Sequence, residues 1–228
     1  MKIAIHQPDY IPYLGYFYKM AQADVFVFLD NCQFSSDNWH HWNRVKSPQG
    51  ETRLKIPTDY ELGKPINLVQ TRDSLDWKRK HLRTLEMNYA RARYYKSVYP
   101  LFQELLLASY KNLAEQNITI NTWLANQFGI HPIIHYTSAL SIDSLHEERI
   151  IDICLALKGT EYISGSGARS YQVEAHFLDR GLRLSYIDYH PVQYLQVWPG
   201  FSPNLSVLDY VFNCGFDWDR IMKGVSAA

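Results

Sequence analysis

The sequence lacks any excess of charge of one sign. Among its 228 residues, 23 Lys and Arg balance 23 Asp and Glu, so the formal net charge is zero. Such a chain has no general field to attract nucleic acid or an anionic membrane, and a basic patch could only be local. No apolar run approaches the roughly 20 residues that a membrane-spanning helix needs. We therefore predict neither a nucleic-acid partner nor a membrane span.

Cysteine is also scarce. Cys32, Cys154 and Cys214 lie far apart, in no spacing typical of metal ligands and with no neighbouring histidine in sequence. This usage favours a reducing compartment and gives no support to a metal site or a cysteine nucleophile. Met1 and Lys2 run directly into a strand-like stretch, which leaves no room for a secretory signal. We therefore predict a cytoplasmic protein.

What the chain does have is a strong pattern in its first thirty residues. Residues 3–6 are short and apolar, residues 14–23 carry apolar side chains at helical spacing, and residues 25–29 form a continuous apolar run. These patterns predict a strand, a helix and a second strand. A strand–helix–strand unit of this length implies two parallel strands with the helix packed across them.

The middle of the chain, from about residue 31 to residue 128, breaks this alternation. A turn signal at 48–50 between alternating segments predicts a β-hairpin, and apolar residues at three- and four-residue spacing then predict helices. The predicted elements are strands at 45–47, 52–57 and 66–70, and helices at 77–88, 98–115 and 120–128. Pro100 fits the first turn of the second helix.

After Gly129 the α/β alternation returns. The predicted elements are strands at 132–136, 162–164 and 184–187, and helices at 145–157, 173–178 and 205–212. We predict that residues 1–228 form one α/β domain. Its sheet is mostly parallel and Rossmann-like, and a β-hairpin and helices are inserted at about 31–128.

In parallel sheets, ligands bind where strands end and helices begin. His6 and Gln7 follow the first strand, and Tyr10 lies in the same turn. Histidine can act as acid, base or donor near neutral pH, and glutamine can both donate and accept. Asp30 follows the second apolar run and is a second candidate for acid–base chemistry, although a turn or N-cap aspartate is equally compatible with its position.

Two further stretches suit polar or anionic groups. Asn43 and Arg44 can contact hydroxyls or anions, because arginine makes a forked contact to phosphate or carboxylate. The turn Ser164-Gly165-Ser166-Gly167 follows a strand, and its hydroxyls and glycines can cradle a phosphate, although an ordinary glycine-rich turn has the same pattern. Tyr171 follows it. The adjacent His40 and His41 would point to opposite faces of a strand, so a shared metal is not predicted.

Together these stretches resemble the WbqC-like family. The resemblance extends over nearly the whole chain and rests on the combination of motifs. They are the segments 5–17 (Ile-His-Gln-Pro-Asp-Tyr-Ile-Pro-Tyr-Leu-Gly-Tyr-Phe), 23–30, 43–46, 162–165 with Tyr171, and 205–209 with Phe212, Asn213 and Gly215.

The resemblance implies a place in the biosynthesis of bacterial O-antigen and related surface polysaccharides. It implies an enzyme that modifies a nucleotide-linked amino sugar by transferring an acyl or aminoacyl group to the sugar amine. Under this hypothesis His6 is the general base and Asp30 orients it or replaces it. Gln7, Asn43 and Arg44 position the sugar or its diphosphate. The turn of Ser164, Gly165, Ser166 and Gly167 holds phosphate, and Tyr10 and Tyr171 stack or hydrogen-bond.

Two alternatives remain open. The opening unit is also similar to that of nucleotidyltransferase-type domains, which would make the protein an ATP-dependent ligase or nucleotidyltransferase, but the His-x-Gly-His signature of such domains is missing at residues 12–16. The other alternative is a nucleotide-sugar-binding protein without catalysis. The sequence does not decide between acyl-CoA and ATP with magnesium as co-substrate, and it does not give the oligomeric state.

Overall fold

The computed structural model describes residues 1–61 and 63–226. Within them, seven strands form two sheets. The strands are β1 (Lys2–His6), β2 (Val25–Phe28), β3 (Trp42–Ser47), β4 (Gly50–Lys55), β5 (Ile133–Tyr136), β6 (Glu161–Ser164) and β7 (Arg183–Tyr186). The main sheet has the order β5-β2-β1-β6-β7, and every neighbouring pair in it is parallel. Strands β3 and β4 pair separately as an antiparallel hairpin.

Eight α-helices accompany these strands in the described residues. They are α1 (Leu14–Ala21), α2 (Trp77–Tyr89), α3 (Tyr95–Leu107), α4 (Leu113–Gln127), α5 (His146–Ala156), α6 (Glu174–Leu178), α7 (Val207–Cys214) and α8 (Trp218–Ser226). Short 3₁₀ turns occur at Ile66–Leu68, Asp73–Leu75, Thr137–Ala139 and Ser166–Ser170. The prediction of an α/β fold with a mostly parallel sheet and a hairpin and helices between β2 and β5 is confirmed.

The strand order creates a crevice between β1 and β6. From β1 the chain moves outward to β2 and β5, and it then crosses back to place β6 on the other side of β1. The loops that follow β1 and β6 therefore diverge at the carboxyl edge of the sheet. Such a switch point is where open α/β sheets bind ligands. His6 ends β1 and Ser164 ends β6, so the sheet brings two of the predicted stretches to one place.

The central strands bury both faces. Ala4 packs into the larger hydrophobic cluster, together with α1, α3, α4 and the hairpin. Ile3 and Ile5, which point the opposite way, pack into a second cluster with α5 and Phe177. Successive side chains of a strand alternate between faces, so helices must cover both. Each fully buried side chain of this size contributes about 1.5–3 kcal/mol relative to exposure.

Two predicted elements in the middle of the chain were wrong. Residues 66–70 do not form a strand. They form a 3₁₀ turn at Ile66–Leu68, and only isolated bridges at the flanking Pro65 and Thr71 pair this segment with other parts of the chain. The predicted helix 98–115 is interrupted after Leu107, because the side chain of Asn112 accepts a hydrogen bond from the Glu115 backbone N–H and starts a new helix.

The helices differ from the prediction elsewhere too. Helix α3 begins at Tyr95, so Pro100 lies inside the helix rather than in its first turn. The ring of Tyr95 packs against Phe212, 5.6 Å between centroids, a contact that no local pattern indicates. The sequence prediction also ended with the helix at 205–212, whereas the structure adds α8.

Three asparagine side chains hold the loop between β1 and α1. On α4, the Asn117 amide donates to the Pro8 carbonyl at 2.8 Å, and the Asn121 amide donates to the Asp9 carbonyl at 2.9 Å. From β3, the Asn43 amide donates to the carbonyls of the next two residues, Tyr10 at 3.0 Å and Ile11 at 2.9 Å. Four successive carbonyls thus bind amides from two distant elements, which fixes the loop that follows His6.

The left-handed backbone of Ile11 shows that this loop needs support. Its φ is 39°, a value that a β-branched residue rarely adopts. Such backbone strain persists only where the surroundings determine the conformation. Here the Asn43 amide holds the Ile11 carbonyl, and the Val207 backbone N–H donates to the Pro12 carbonyl at 2.8 Å.

The substitution Asn121→Ala tests this clamp. It leaves the buried carbonyl of Asp9 without the amide donor that now faces it, so we expect the free energy of unfolding to fall by about 1–3 kcal/mol. Urea denaturation followed by circular dichroism measures the change. Asn126→Ala, at an exposed position of the same helix, is the matched control and should stay within about 0.5 kcal/mol of the wild type. Equal losses in both variants would contradict the clamp.

Candidate functional site

A cavity of about 710 Å³ lies at the switch point of the main sheet. The turn after β1 forms one wall, and the turn after β6 forms the other. Its lining includes His6, Gln7, Tyr13, Lys19, the segment Ser164–Ala168 and Tyr171. The volume suits a drug-sized or nucleotide-sized ligand. The structure therefore brings His6, Gln7, Tyr171 and the predicted phosphate turn to a single cavity.

His6 presents a neutral imidazole to this cavity. Its Nδ1–H donates to the Gln7 carbonyl at 3.1 Å, which leaves the lone pair on Nε2. The ring packs edge-on against Tyr16, and 32% of the side chain is exposed. Burial and the nearby Lys19 lower the pKa of His6 to about 3. At neutral pH the ring is therefore unprotonated, and Nε2 can accept a proton.

Asp9 is a buried carboxyl beside His6 that the sequence did not single out as a site residue. Its Oδ2 lies 3.7 Å from Nδ1 of His6, and its Oδ1 is buried without a hydrogen-bond partner. Burial raises the pKa of Asp9 to about 7, although Lys19 lowers it in part. An aspartate in a turn is usually a solvated residue, so only the tertiary burial reveals its unusual state.

Lys19 is a second residue that sequence analysis missed. It lies on α1, is 4% exposed and donates from Nζ to the Ile5 carbonyl at 2.7 Å. Burial lowers the pKa of Lys19 to about 7, while Asp9 raises it in part. One sequence signal could have found it, because Lys19 is the only charged residue within the apolar helix Leu14–Ala21. Buried lysines of this kind occur frequently at functional sites.

Gln7 is oriented by a histidine from outside the turn. Nε2 of His40 donates to Oε1 of Gln7 at 2.7 Å, and Nδ1 of His40 accepts from the Ser35 backbone N–H at 3.5 Å. Burial lowers the pKa of His40 to about 4, so it is neutral at pH 7. Because the oxygen of the Gln7 amide is bound to His40, its NH₂ group is left to donate into the cavity.

The turn after β6 has room for a ligand. Ser164 is buried, and the chain continues into the 3₁₀ turn Ser166–Ser170. A Cβ atom placed on Gly165 or Gly167 would meet no protein atom within 4 Å, so packing does not require glycine at either position. The open space on the cavity side allows a phosphate to approach this backbone closely. Tyr171, 73% exposed, stands at the cavity mouth.

A second cavity, of about 340 Å³, adjoins the first. Tyr13 lines both cavities, and His6 of the first cavity lies 3.7 Å from Asp9 of the second. Its other lining residues are Pro12, Trp39, Asn43, Arg44 and Asn204. The predicted Asn43 and Arg44 therefore lie next to the His6 cavity, within a separate compartment.

The residues of the second cavity differ in what they can offer a ligand. The Asn43 amide is occupied by the carbonyls of the clamped loop, and its Oδ1 accepts from the Arg44 backbone N–H. Arg44 pairs with Glu51 through one terminal nitrogen at 2.6 Å, whereas its Nε has no partner. Trp39 is 38% exposed and stacks on Trp42 with 4.0 Å between ring centroids. The Arg44 side chain is 36% exposed, so its accessible part and the Trp39 ring remain available to a ligand.

Two predicted site residues lie elsewhere. Asp30 lines a separate groove, where its carboxylate accepts from the Ser138 backbone N–H at 2.8 Å and the Ser138 hydroxyl at 2.5 Å. It therefore holds the turn after β5. Tyr10 is fully buried, and its hydroxyl donates to Nδ1 of His81 at 3.0 Å. The structure brings neither residue to the cavity that holds His6.

The adjacent histidines do not form one site. Strand β3 begins at Trp42, so His40 and His41 lie in the turn before it. His40 contacts Gln7, whereas His41 lines a different pocket with Phe34 and Lys55. Within residues 1–61 and 63–226, no group of three or more His, Cys, Asp or Glu side chains could hold a metal ion. Over the same residues, no helix is both long and apolar enough to cross a membrane.

These features define a doubly wound α/β protein with a cavity at the switch point of its sheet and a second cavity beside it. The chain belongs to the WbqC-like protein family, which matches residues 7–221. It is 31% identical over 217 residues to an uncharacterized protein of Mycobacterium tuberculosis, Rv1507c, and the match covers 94% of each chain. No solved structure matches the chain. The resemblance read from the sequence is thus confirmed at the level of the family.

The substitution Lys19→Met tests the buried amine. The unfolded chain keeps the Lys19 proton up to about its ordinary pKa of 10.5, whereas the folded protein releases it near pH 7. Between these values the wild type therefore gains stability as the pH rises, and the variant lacks this gain. We subtract the free energy of unfolding of the wild type from that of the variant. We expect this difference to fall by more than about 1 kcal/mol between pH 7 and pH 9.5.

Urea denaturation at the two pH values measures this difference. Lys80→Met is the matched control, because it removes a lysine from an exposed helix position. A difference for Lys19→Met that does not change with pH would show that the folded protein does not shift the titration of this amine.

Proposed function

We propose that this protein transfers an acyl or aminoacyl group to the amine of a nucleotide-linked amino sugar, in the biosynthesis of a bacterial surface polysaccharide. The observation that carries the proposal is the neutral His6, whose Nε2 lone pair is available to a cavity with a glycine-rich turn on its opposite wall. A base and a phosphate cradle within one cavity match a substrate that has both an amine and a diphosphate. Membership of the WbqC-like family supports the pathway.

The proposed reaction is an attack by the sugar amine on the acyl carbon of a donor. A C–N bond forms, and the bond from the acyl carbon to the leaving group of the donor breaks; for a thioester such as acyl-CoA this group is a thiolate. Nε2 of His6 accepts the proton that the amine loses and delivers it to the leaving group. Asp9, 3.7 Å from the other ring nitrogen, stabilises the transient imidazolium when its carboxyl is ionised.

The cavity suggests how the nucleotide sugar lies. The backbone and hydroxyls of Ser164, Gly165, Ser166 and Gly167 hold the diphosphate, and the exposed ring of Tyr171 covers it at the cavity mouth. The NH₂ group of Gln7, oriented by His40, contacts a sugar hydroxyl. The sugar amine then faces His6, beside the second cavity. In this arrangement the acyl donor approaches from the side of Arg44 and Trp39.

The substitution His6→Gln tests the base. With a UDP- or dTDP-linked amino sugar and an acyl-CoA donor, amide formation is followed by mass spectrometry. General-base catalysis contributes about 10²–10⁴-fold, so we expect kcat to fall by at least about a hundredfold while KM for the nucleotide sugar stays nearly unchanged. His131→Gln, at an exposed position outside the cavities, is the matched control and should retain wild-type rates.

Three outcomes would contradict the proposal. Unchanged turnover by His6→Gln would show that His6 is not the general base. Pyrophosphate release that requires ATP and magnesium would point to a ligase or nucleotidyltransferase. Stabilisation by the nucleotide sugar without turnover, in the presence of acyl-CoA or of ATP with magnesium, would point to a binding protein without catalysis.

A further inference from the structure

A further pocket, of about 410 Å³, lies beside the end of β4. We call it the His41 pocket, and its lining includes Phe34, His41, Lys55, Thr58, Tyr60 and Arg72. It shares no lining residue with either of the two cavities described above. Its volume falls within the range of small-molecule sites, about 300–1,000 Å³. The proposed transfer reaction leaves this pocket without a role.

The His41 pocket has a positive charge that no carboxylate in its lining offsets. Lys55 and Arg72 both line it, both are exposed to solvent, and none of the residues given for its lining is acidic. Within residues 1–61 and 63–226, neither side chain makes an ion pair or a hydrogen bond. Two accessible cations in one pocket are therefore free to bind an anion from solution.

The buried ring of His41 senses this charge. Burial, and after it the charges of Lys55 and Arg53, lower the pKa of His41 to about 4. Arg53 is held close by, because its guanidinium carbon lies 3.6 Å from the centroid of the Trp42 ring. The charges that disfavour a further cation at this place would stabilise a bound anion.

The arrangement of donors favours a phosphate over a carboxylate. The Arg72 backbone N–H donates to the Pro57 carbonyl at 2.8 Å, which fixes Arg72 beside the chain that follows Lys55. Thr58 adds a hydroxyl to the lining. A phosphate monoester carries about 1.5–2 negative charges at pH 7 and three strong acceptor oxygens, so it can bind both cations and the hydroxyl together. A carboxylate has a single charge and two oxygens.

An aromatic ring lines another part of the pocket. Tyr60 packs against the buried Phe34, with 4.9 Å between ring centroids, and is itself 37% exposed. Phe34 thus supports the Tyr60 ring while part of that ring stays open to solvent. Because aromatic rings pack well against one another, a ligand with a ring next to its phosphate fits both parts of the pocket.

We infer that the His41 pocket is a binding site for a small phosphate monoester that carries an aromatic ring. The phosphate lies between Lys55 and Arg72, and the ring of the ligand packs on Tyr60. This site is separate from the proposed transfer reaction, and neither proposal depends on the other.

Calorimetry on the full chain tests this site with phenyl phosphate, the smallest probe of this class. The titration is done at low ionic strength, because salt screens exposed charges. We expect saturable binding of phenyl phosphate, and at least tenfold weaker binding of inorganic phosphate and of phenol, since each lacks one of the two contacts. No saturable binding of phenyl phosphate, or equally tight binding of inorganic phosphate or phenol, would overturn the inference.

Variants at exposed positions locate the phosphate. Lys55→Met and Arg72→Gln should each weaken phenyl phosphate at least tenfold, because each removes a charged contact. Arg83→Gln is the matched control, since it removes an arginine from an exposed position of α2 and should keep the wild-type affinity. Wild-type affinity in both Lys55→Met and Arg72→Gln would place the phosphate elsewhere, for example at the glycine-rich turn of the first cavity, and would overturn the assignment.

The substitution Tyr60→Leu locates the ring of the ligand. The preference for phenyl phosphate over inorganic phosphate should fall at least fivefold in this variant, whereas the affinity for inorganic phosphate should stay at the wild-type value. A preference that survives intact in Tyr60→Leu would contradict the packing of the ligand ring on Tyr60.

Discussion

Amide groups from two distant elements hold the loop after β1, and the geometry of both cavities depends on them. Asn117 and Asn121 of α4 and Asn43 of β3 bind the carbonyls of residues 8–11. Within this loop Ile11 adopts a left-handed backbone. Because the loop cannot relax, the carboxyl of Asp9 stays buried beside His6. A flexible loop would let that carboxyl turn toward water.

This constraint gives the helices and the hairpin between β2 and β5 a part in the site. These elements provide more than hydrophobic cover, since α4 and β3 supply the three amides of the clamp and the turn before β3 supplies His40, which orients Gln7. The amides lie on buried faces, so each must find a partner, and the loop carbonyls are those partners. The contacts that satisfy these buried amides are therefore the same contacts that fix the geometry of the site.

The site concentrates ionisable groups that burial shifts in opposite directions. Burial lowers the pKa of His6 and of Lys19 and raises that of Asp9. Near neutral pH, His6 is therefore neutral, and Lys19 and Asp9 are each only partly charged. Pairs of groups whose environments shift their pKa values in this way are typical of acid–base sites. Tyr10, which the sequence placed in the site, instead packs in the core and hydrogen-bonds to His81.

The sequence by itself determined the family, the parallel sheet and the strand ends at His6 and Ser164, because these depend on local hydrophobic periodicity and on motifs within a few residues. It also pointed to Asp30, whose carboxylate binds Ser138, a partner 108 residues away. Only the tertiary structure decided that Asp30 supports a turn, that Lys19 faces a cavity, and that Asp9 is buried beside His6. The physical reason is that burial and hydrogen-bond partners come from residues far apart in the chain: Asn121 lies 112 residues from the carbonyl it holds.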